Sequence, residues 1–272
     1  MRWSPGRWSE ETIIRAFEGD ANWIAIPFGP SSVAPEEPHE LERYFQRLEA
    51  AGAGKRPDLL LLARKDYEPV QERVKRIGIS EIPFTSEHDL HFLLEKALCA
   101  VEVENSLWVS KAMPHYGKGR PCKADPRLTV FLRSHKVPTV IIKDEDVKPL
   151  RNWQRRWRIP IYVFHVFYDQ GFFISLKRAM ALLHKKIVTV TSQTFFAPSG
   201  ATTTKGIYKI WYTLCSPLGE ITEVPALSSK VVQDKNGHIL PYVHFSGGRL
   251  ELSQEVKHEL NGLLEKRFRM PG

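Results

Sequence analysis

KRPDLLLLARK (residues 55–65) and CAVEVEN (residues 99–105) are the two stretches on which the fold turns. In the first, an apolar run at 59–63 is bounded by Pro57 and by charges. A run that short, closed off at both ends, fits a strand buried on both faces better than a helix. In the second, Val101 and Val103 alternate with Glu102 and Glu104. Successive side chains of a strand leave opposite faces, so the two glutamates share one face. Asp58 stands directly before the first strand. If the two strands are neighbours, the carboxylates of Asp58, Glu102 and Glu104 converge on one point.

Working outward, Ser9 to Glu18 reads as a helix with Ser9 as its N-cap, and 22–28 as a short strand. A Pro-rich loop at 29–38 leads to an amphipathic helix at 39–51 that stops at Gly52 and Gly54. Helical spacing recurs at 67–77 and 87–98 and, more briefly, near 106–112. Then come a loop rich in Gly, Pro and Lys, a strand at 137–142, a helix at 147–157, strands at 160–168 and 172–176, and a helix at 177–185. From residue 187 the texture is β, with strands at 187–196, 206–214, 219–224, 228–233 and 239–245. Asn236 and Gly237 mark a hairpin turn, and a helix at about 253–267 follows. The expected fold class is α/β, a mixed sheet flanked by helices with a β-rich C-terminal part.

The 272 residues carry 39 Lys+Arg against 31 Asp+Glu, a net charge of +8 that is unevenly placed. Residues 1–110 are at −6, residues 111–158 at +9 and residues 159–272 at +5. A field of that kind draws a polyanion, and nucleic acid is the usual one; a solvated loop that balances the acidic part is the plainer alternative. With 42% hydrophobic residues the composition is that of a globular chain and excludes a disordered one. Cys99, Cys122 and Cys215 are too few and too scattered for a disulfide framework or a four-ligand zinc site. They read as reduced thiols of a cytoplasmic protein. The N-terminal residues lack the apolar core of a secretory signal, and no apolar run reaches the ~20 residues needed to span a bilayer.

Three clustered carboxylates suit a hard divalent cation, which takes oxygen ligands, and Mg²⁺ in particular. At these residues the sequence resembles the PD-(D/E)xK nuclease superfamily and, within it, type II restriction endonucleases. Pro57-Asp58 matches the first half of the motif and Glu102-Val103-Glu104 the second, with Glu104 where the family usually has Lys. The resemblance covers about residues 55–176. It implies a restriction-endonuclease-like sheet and Asp58 and Glu102 as Mg²⁺ ligands, joined by the Val103 carbonyl. Glu104 would orient or deprotonate the attacking water, and Lys143, at the end of strand 137–142, would supply an ammonium from a third strand. The implied activity is site-specific hydrolysis of double-stranded DNA by a homodimer, leaving 5′-phosphates. Residues 1–186 would form the nuclease core. Residues 187–272 would form a β-rich region for DNA contact or dimerisation, continuous with that core.

Candidate DNA contacts are Lys111, Lys118, Arg120 and Lys123 in and beside the basic loop. Arg151 and Arg155 interleave with Trp153 and Trp157 on one helix, and Thr203 and Lys205 occupy a hairpin tip. A hydroxyl-rich tip suits a groove and suits solvent alike. Two other readings stay open: a repair or junction-resolving nuclease of the same superfamily, and a non-catalytic nucleic-acid-binding protein. His88, His91 and Glu95 share a helix face, but no further zinc ligand follows them. His165, on an apolar strand, reads as a core histidine.

Overall fold

The computed structural model describes residues 3–33, 38–50, 54–117, 136–196, 202–233 and 239–269. Strands in chain order are β1 (Trp23–Pro27), β2 (Leu59–Ala63), β3 (Cys99–Asn105), β4 (Thr139–Lys143), β5 (Ile161–Val166) and β6 (Gln170–Ser175). They continue with β7 (Val190–Phe196), β8 (Thr202–Trp211), β9 (Ser216–Glu223), β10 (Ala226–Gln233), β11 (Ile239–Ser246) and β12 (Arg249–Leu252). The α-helices are α1 (Trp3–Glu18), α2 (Pro38–Ala50), α3 (Arg64–Tyr67), α4 (Gln71–Ile77), α5 (His91–Leu94), α6 (Asp144–Trp157), α7 (Leu176–His184) and α8 (Gln254–Arg269). The class is mixed α/β, as the alternation of patterns predicts.

Seven strands form the central sheet in the order β1-β2-β3-β5-β6-β9-β12. Only β3 and β5 pair in parallel; the other neighbours run antiparallel. β2 is buried at all five positions, as its unbroken leucine run requires. Leu60, Leu62, Ala100, Val163 and Ile174 face one side, with Val140, Ile142, Leu150, Trp153 and Ile210 packed over them. Leu59, Leu61, Val101, Phe164 and Phe173 face the other, under Trp8, Ile13 and Phe17 of α1 and Val256 and Leu260 of α8. Each fully buried leucine contributes about 2 kcal/mol on transfer grounds.

Several sequence expectations are corrected. Ser9 is not an N-cap: the helix starts at Trp3, and the Ser9 hydroxyl donates to the Gly6 carbonyl at 2.7 Å inside it. The 67–77 pattern breaks into α3, a 3-10 turn at Glu68–Val70 and α4, because Pro69 cannot donate to a continuing helix. Only His91–Leu94 of 87–98 is α-helical. The segment near 106–112 holds a single 3-10 turn, Ser110–Ala112, tied down by Asp169, which accepts from the backbone N–H groups of Ser110 and Lys111 at 2.7 and 2.9 Å.

β4 is not in the central sheet; it joins β8 and β7 in a three-stranded sheet. The four-residue β12 escaped the sequence pattern, yet it closes the far edge of the central sheet against β9. The hairpin residues Asn236 and Gly237 lie outside the described residues, between the paired strands β10 and β11. Among the described residues no helix is long and apolar enough to cross a membrane.

Candidate metal centre

Asp58 sits where the β2–β3 ladder runs out. Backbone pairing ends at Leu59 and Val101, and one residue on the Asp58 carboxylate takes over, its Oδ2 accepting from the Val103 N–H at 2.7 Å. Its Oδ1 accepts from the Ser31 hydroxyl at 2.6 Å, and its backbone carbonyl accepts from the N–H groups of Phe28 and Gly29. Gly29 is needed for this seat, because a Cβ there would lie 2.8 Å from both the Asp58 Cα and the Pro57 carbonyl oxygen. Pro57-Asp58 therefore fixes one carboxylate between the ends of β1 and β3.

Glu102 and Glu104 rise from β3 on the same face, as their spacing predicts, and are 3% and 7% exposed. Lys55, just ahead of Pro57, donates to Glu102 Oε1 at 2.5 Å. Lys143, at the end of β4, donates to Glu104 Oε1 at 2.7 Å. Thus a strand of the second sheet delivers an ammonium to β3. Asp146, in the first turn of α6, completes the group, its oxygens 3.8 Å from Lys55 Nζ and 3.9 Å from Lys143 Nζ. Ligand oxygens of Glu102, Glu104 and Asp146 all lie within 4.8 Å of one another. Asp58 is not one of that trio; it stands beside Glu102 with its hydrogen bonds to Ser31 and Val103.

A further carboxylate comes from α1. Glu10 is 4% exposed, and its Oε2 has no hydrogen-bond partner. Burial first, and then the charge of Asp58, holds its pKa well above the ordinary glutamate value. The same two causes raise Glu102, against the pull of Lys55. Burial also raises Glu104, and Lys143 opposes it. Burial alone would lower Lys55, but Glu102, Asp58 and Asp146 outweigh it and raise its pKa. With every group ionised, the five carboxylates (Glu10, Asp58, Glu102, Glu104, Asp146) face two ammonium groups, so three negative charges are uncompensated.

Buried carboxylates in such excess must bind protons or a cation. The donor set fits a hard divalent ion such as Mg²⁺: carboxylate oxygens only, three of them mutually close, and a buried Glu102 Oε2 with no partner.

His165 is the neighbour of Glu104 across the β3–β5 pair, and its Nδ1 accepts from the Ile141 N–H at 3.4 Å. Burial, then Lys143, lowers its pKa to about 3, which leaves it a neutral core histidine.

The expected DNA contacts are dispersed. Lys118, Arg120 and Lys123 lie outside the described residues. Lys111 pairs with Glu220, and Lys205 with Glu145. Thr203 is exposed on β8 opposite Phe195. Arg151 and Arg155 are exposed on α6, with Arg155 donating to Asn152 Oδ1.

Lys55, Asp146, Glu10 and Ser31 escaped the sequence reading. Two of them left a signal: Asp146 is three residues after Lys143, and Glu10 occupies the first place of the stripe Glu10, Ile13, Ile14, Phe17 on α1, where an apolar residue belongs.

No family model matches the chain, and no curated protein or solved structure matches it either.

Proposed function

We propose that this chain is a Mg²⁺-dependent nuclease that hydrolyses phosphodiester bonds of double-stranded DNA, a type II restriction endonuclease in its cleavage. The observation that carries the reading is the carboxylate trio of Glu102, Glu104 and Asp146 beside Asp58 and the Lys143 ammonium. In this proposal Glu102 and Asp146 hold the cation, with Asp58 next to them, and Glu104 stays off it to act on the water. A bound divalent ion acidifies a water and offsets charge on a phosphoryl oxygen.

The chain's own groups supply the rest. Asp58, fixed by Ser31 and Val103, is a rigid negative wall of the site. Glu104, whose pKa burial raises, accepts a proton more readily than an exposed glutamate and serves as the base. Lys143 restrains that rise and offers a positive charge to the non-bridging oxygens of the five-coordinate phosphorus. Water adds at phosphorus as Glu104 takes its proton, and the bond to the 3′ oxygen breaks, leaving a 5′-phosphate and a 3′-hydroxyl that takes its proton from solvent. In this proposal Arg151 and Arg155, both exposed on α6, contact the phosphate backbone. A homodimer suits a palindromic site, and the free thiols of Cys99 and Cys215 suit the cytoplasm.

The test is plasmid cleavage with Mg²⁺ and with EDTA. Asp58→Ala and Glu102→Ala should each abolish cutting, and Mg²⁺ should raise the melting temperature of wild type but not of Glu102→Ala. Discrete metal-dependent fragments that survive both substitutions refute the assignment. Structure-dependent nicking would instead favour a repair or junction enzyme, and salt-sensitive binding with no cleavage a non-catalytic protein.

A further inference from the structure

The β10–β11 hairpin forms a sheet of its own. Its eight cross-strand pairs, from Ala226 with Ser246 to Gln233 with Ile239, have no third strand beside them among the described residues. At about 3.4 Å per residue the ribbon is about 27 Å long. Phe245, near its base, rests on Trp8 of α1 with ring centroids 5.9 Å apart. Apart from that anchor, Ala226 to Ser229 are exposed on both faces of β10. A two-stranded hairpin with no layer over it is marginally stable in water.

What the hairpin exposes is apolar. Leu227, Val231 and Val243 are 55%, 65% and 50% exposed, and Val224, just before β10, is 61%. These are four of the nine large hydrophobics exposed among the described residues, so they form a patch rather than a scatter. The register sets Val243 opposite Ser229, which puts it on the same face as Leu227 and Val231. Residues 224–233 and 239–246 hold one charged residue, Lys230, in a chain that is 26% charged. A polyanion finds almost no cation there, which sets DNA aside as the occupant. A second copy of the same surface meets little like-charge repulsion. The two edges also differ. A proline in a strand turns its nitrogen outward, so the free edge of β11 lacks a donor at Pro241, whereas β10 contains no proline.

We infer that β10 pairs antiparallel with β10 of a second copy of this chain, so that two hairpins join into one four-stranded sheet across a two-fold axis at Ser229. Residues opposite each other in a sheet lie on the same face, so the axis passes through a residue and not between two. An axis at Ser229 sets Leu227 against the partner's Val231, twice by symmetry. It sets Lys230 against the partner's Ser228, whereas an axis at Lys230 would set two ammonium groups opposite each other. The four exposed side chains offer roughly 400 Å² of apolar surface per copy, half of the ~800 Å² that each partner buries in a standard interface, and the paired backbone edges add to it. The contact would serve the homodimer of the nuclease reading, but the exposed hairpin carries it independently of that reading.

The experiment is sedimentation equilibrium of the full chain over about 1–100 μM, the range in which an interface of this size should dissociate. Wild type should pass from monomer to dimer and go no further. Val231→Lys and Leu227→Lys, both at exposed positions, should keep the circular dichroism of wild type and weaken the dimer at least about 10-fold, because each change enters the interface twice. The register is read with Ser229→Cys in a chain that also carries Cys122→Ser and Cys215→Ser. Copper phenanthroline should oxidise the two facing thiols to one disulfide between copies. Ser228→Cys in the same background, which this axis sets two residues out of step with its own copy, should cross-link far more slowly.

A monomer at 100 μM overturns the inference, as does a dimer that survives both lysine substitutions. Growth beyond the dimer overturns the closed two-fold contact, and a dimer in which Ser229→Cys forms no cross-link overturns the pairing of β10 with itself. Plasmid cleavage in Mg²⁺, run in parallel with Asp58→Ala, separates the two readings. Asp58-dependent cutting by a chain that stays monomeric overturns the interface alone. A dimer broken by Val231→Lys that cuts no DNA supports the interface and removes the nuclease.

Discussion

Lys55 and Glu102 form one ion pair, yet removing either partner should act on stability in opposite directions. Glu102 is 3% exposed and has Oε1 on Lys55 at 2.5 Å and Oε2 without a partner. Lys55→Met leaves both carboxylate oxygens without that donor, next to Asp58 and Glu104. Breaking a buried pair from one side costs about 3–5 kcal/mol. The Lys55 side chain is 30% exposed, so water takes part of its place and the lower end, about 3 kcal/mol, applies. With an unfolding entropy of about 2 cal/mol/K per residue, a chain of this length should melt about 5 °C lower. Glu102→Gln instead removes a charge that burial and Asp58 already disfavour, while Lys55 keeps an amide oxygen and Asp146. It should melt at the wild-type temperature or up to about 2 °C above it, a gain of about 1 kcal/mol.

Thermal unfolding in EDTA at pH 8, followed by circular dichroism, measures both. The deficit of Lys55→Met should also shrink with acid. A glutamate whose folded pKa is raised adds stability that is full below its unfolded value of 4.5 and is lost as pH climbs through the folded value. The variant, with Lys55 no longer holding that pKa down, has the wider window. Should Glu102→Gln fall as far as Lys55→Met, or the deficit stay constant between pH 8 and pH 5, the carboxylate surplus is not under electrostatic strain and the metal argument loses its basis.

Three other outcomes are expected. Gly29→Ala places a Cβ 2.8 Å from the Asp58 Cα, so it should cost about 1–3 kcal/mol on melting and lower Mg²⁺-dependent cleavage at least about 10-fold by moving Asp58. Gly219→Ala drives a Cβ to within 2.0 Å of the Glu251 carbonyl oxygen, so β12 should part from β9, with about 3 kcal/mol or more lost in chemical denaturation and cleavage in the folded fraction little changed. Lys143→Met removes the charge that restrains the Glu104 pKa, so the acid limb of the cleavage rate against pH should move to higher pH; an unmoved limb would take Glu104 out of the proton transfer.

The sheet around the site was legible because its strands obey local rules. Leu59 to Leu62 admit little but a buried strand, and the Val–Glu alternation of β3 sets which side chains leave together. Partnership was not legible. The strand at 137–142 has the pattern of any half-buried strand, and nothing local says that it pairs with β8 rather than β3. The site suffers the same limit. Asp58, Glu102 and Glu104 were visible because two adjacent strands carry them, whereas Lys55, Asp146 and Glu10 arrive from a loop, a helix start and the first helix. Tertiary packing decides that meeting, and the pairing of Lys143 with Glu104 follows from the same packing.

The charge asymmetry takes a physical form in α6. Its first turn is Asp144, Glu145 and Asp146, and its last turn holds Arg155 and Arg156. Acids at the N-terminus and bases at the C-terminus both suit the helix dipole, so the helix is stabilised by the arrangement that polarises it. Asp146 belongs to the carboxylate trio and Arg156 stands beside Glu87, and ten residues of helix set them about 15 Å apart. The +8 of the whole chain conceals this separation of charge. Acidic residues gather at the carboxylate trio, and basic residues stand at the other end of the same helix.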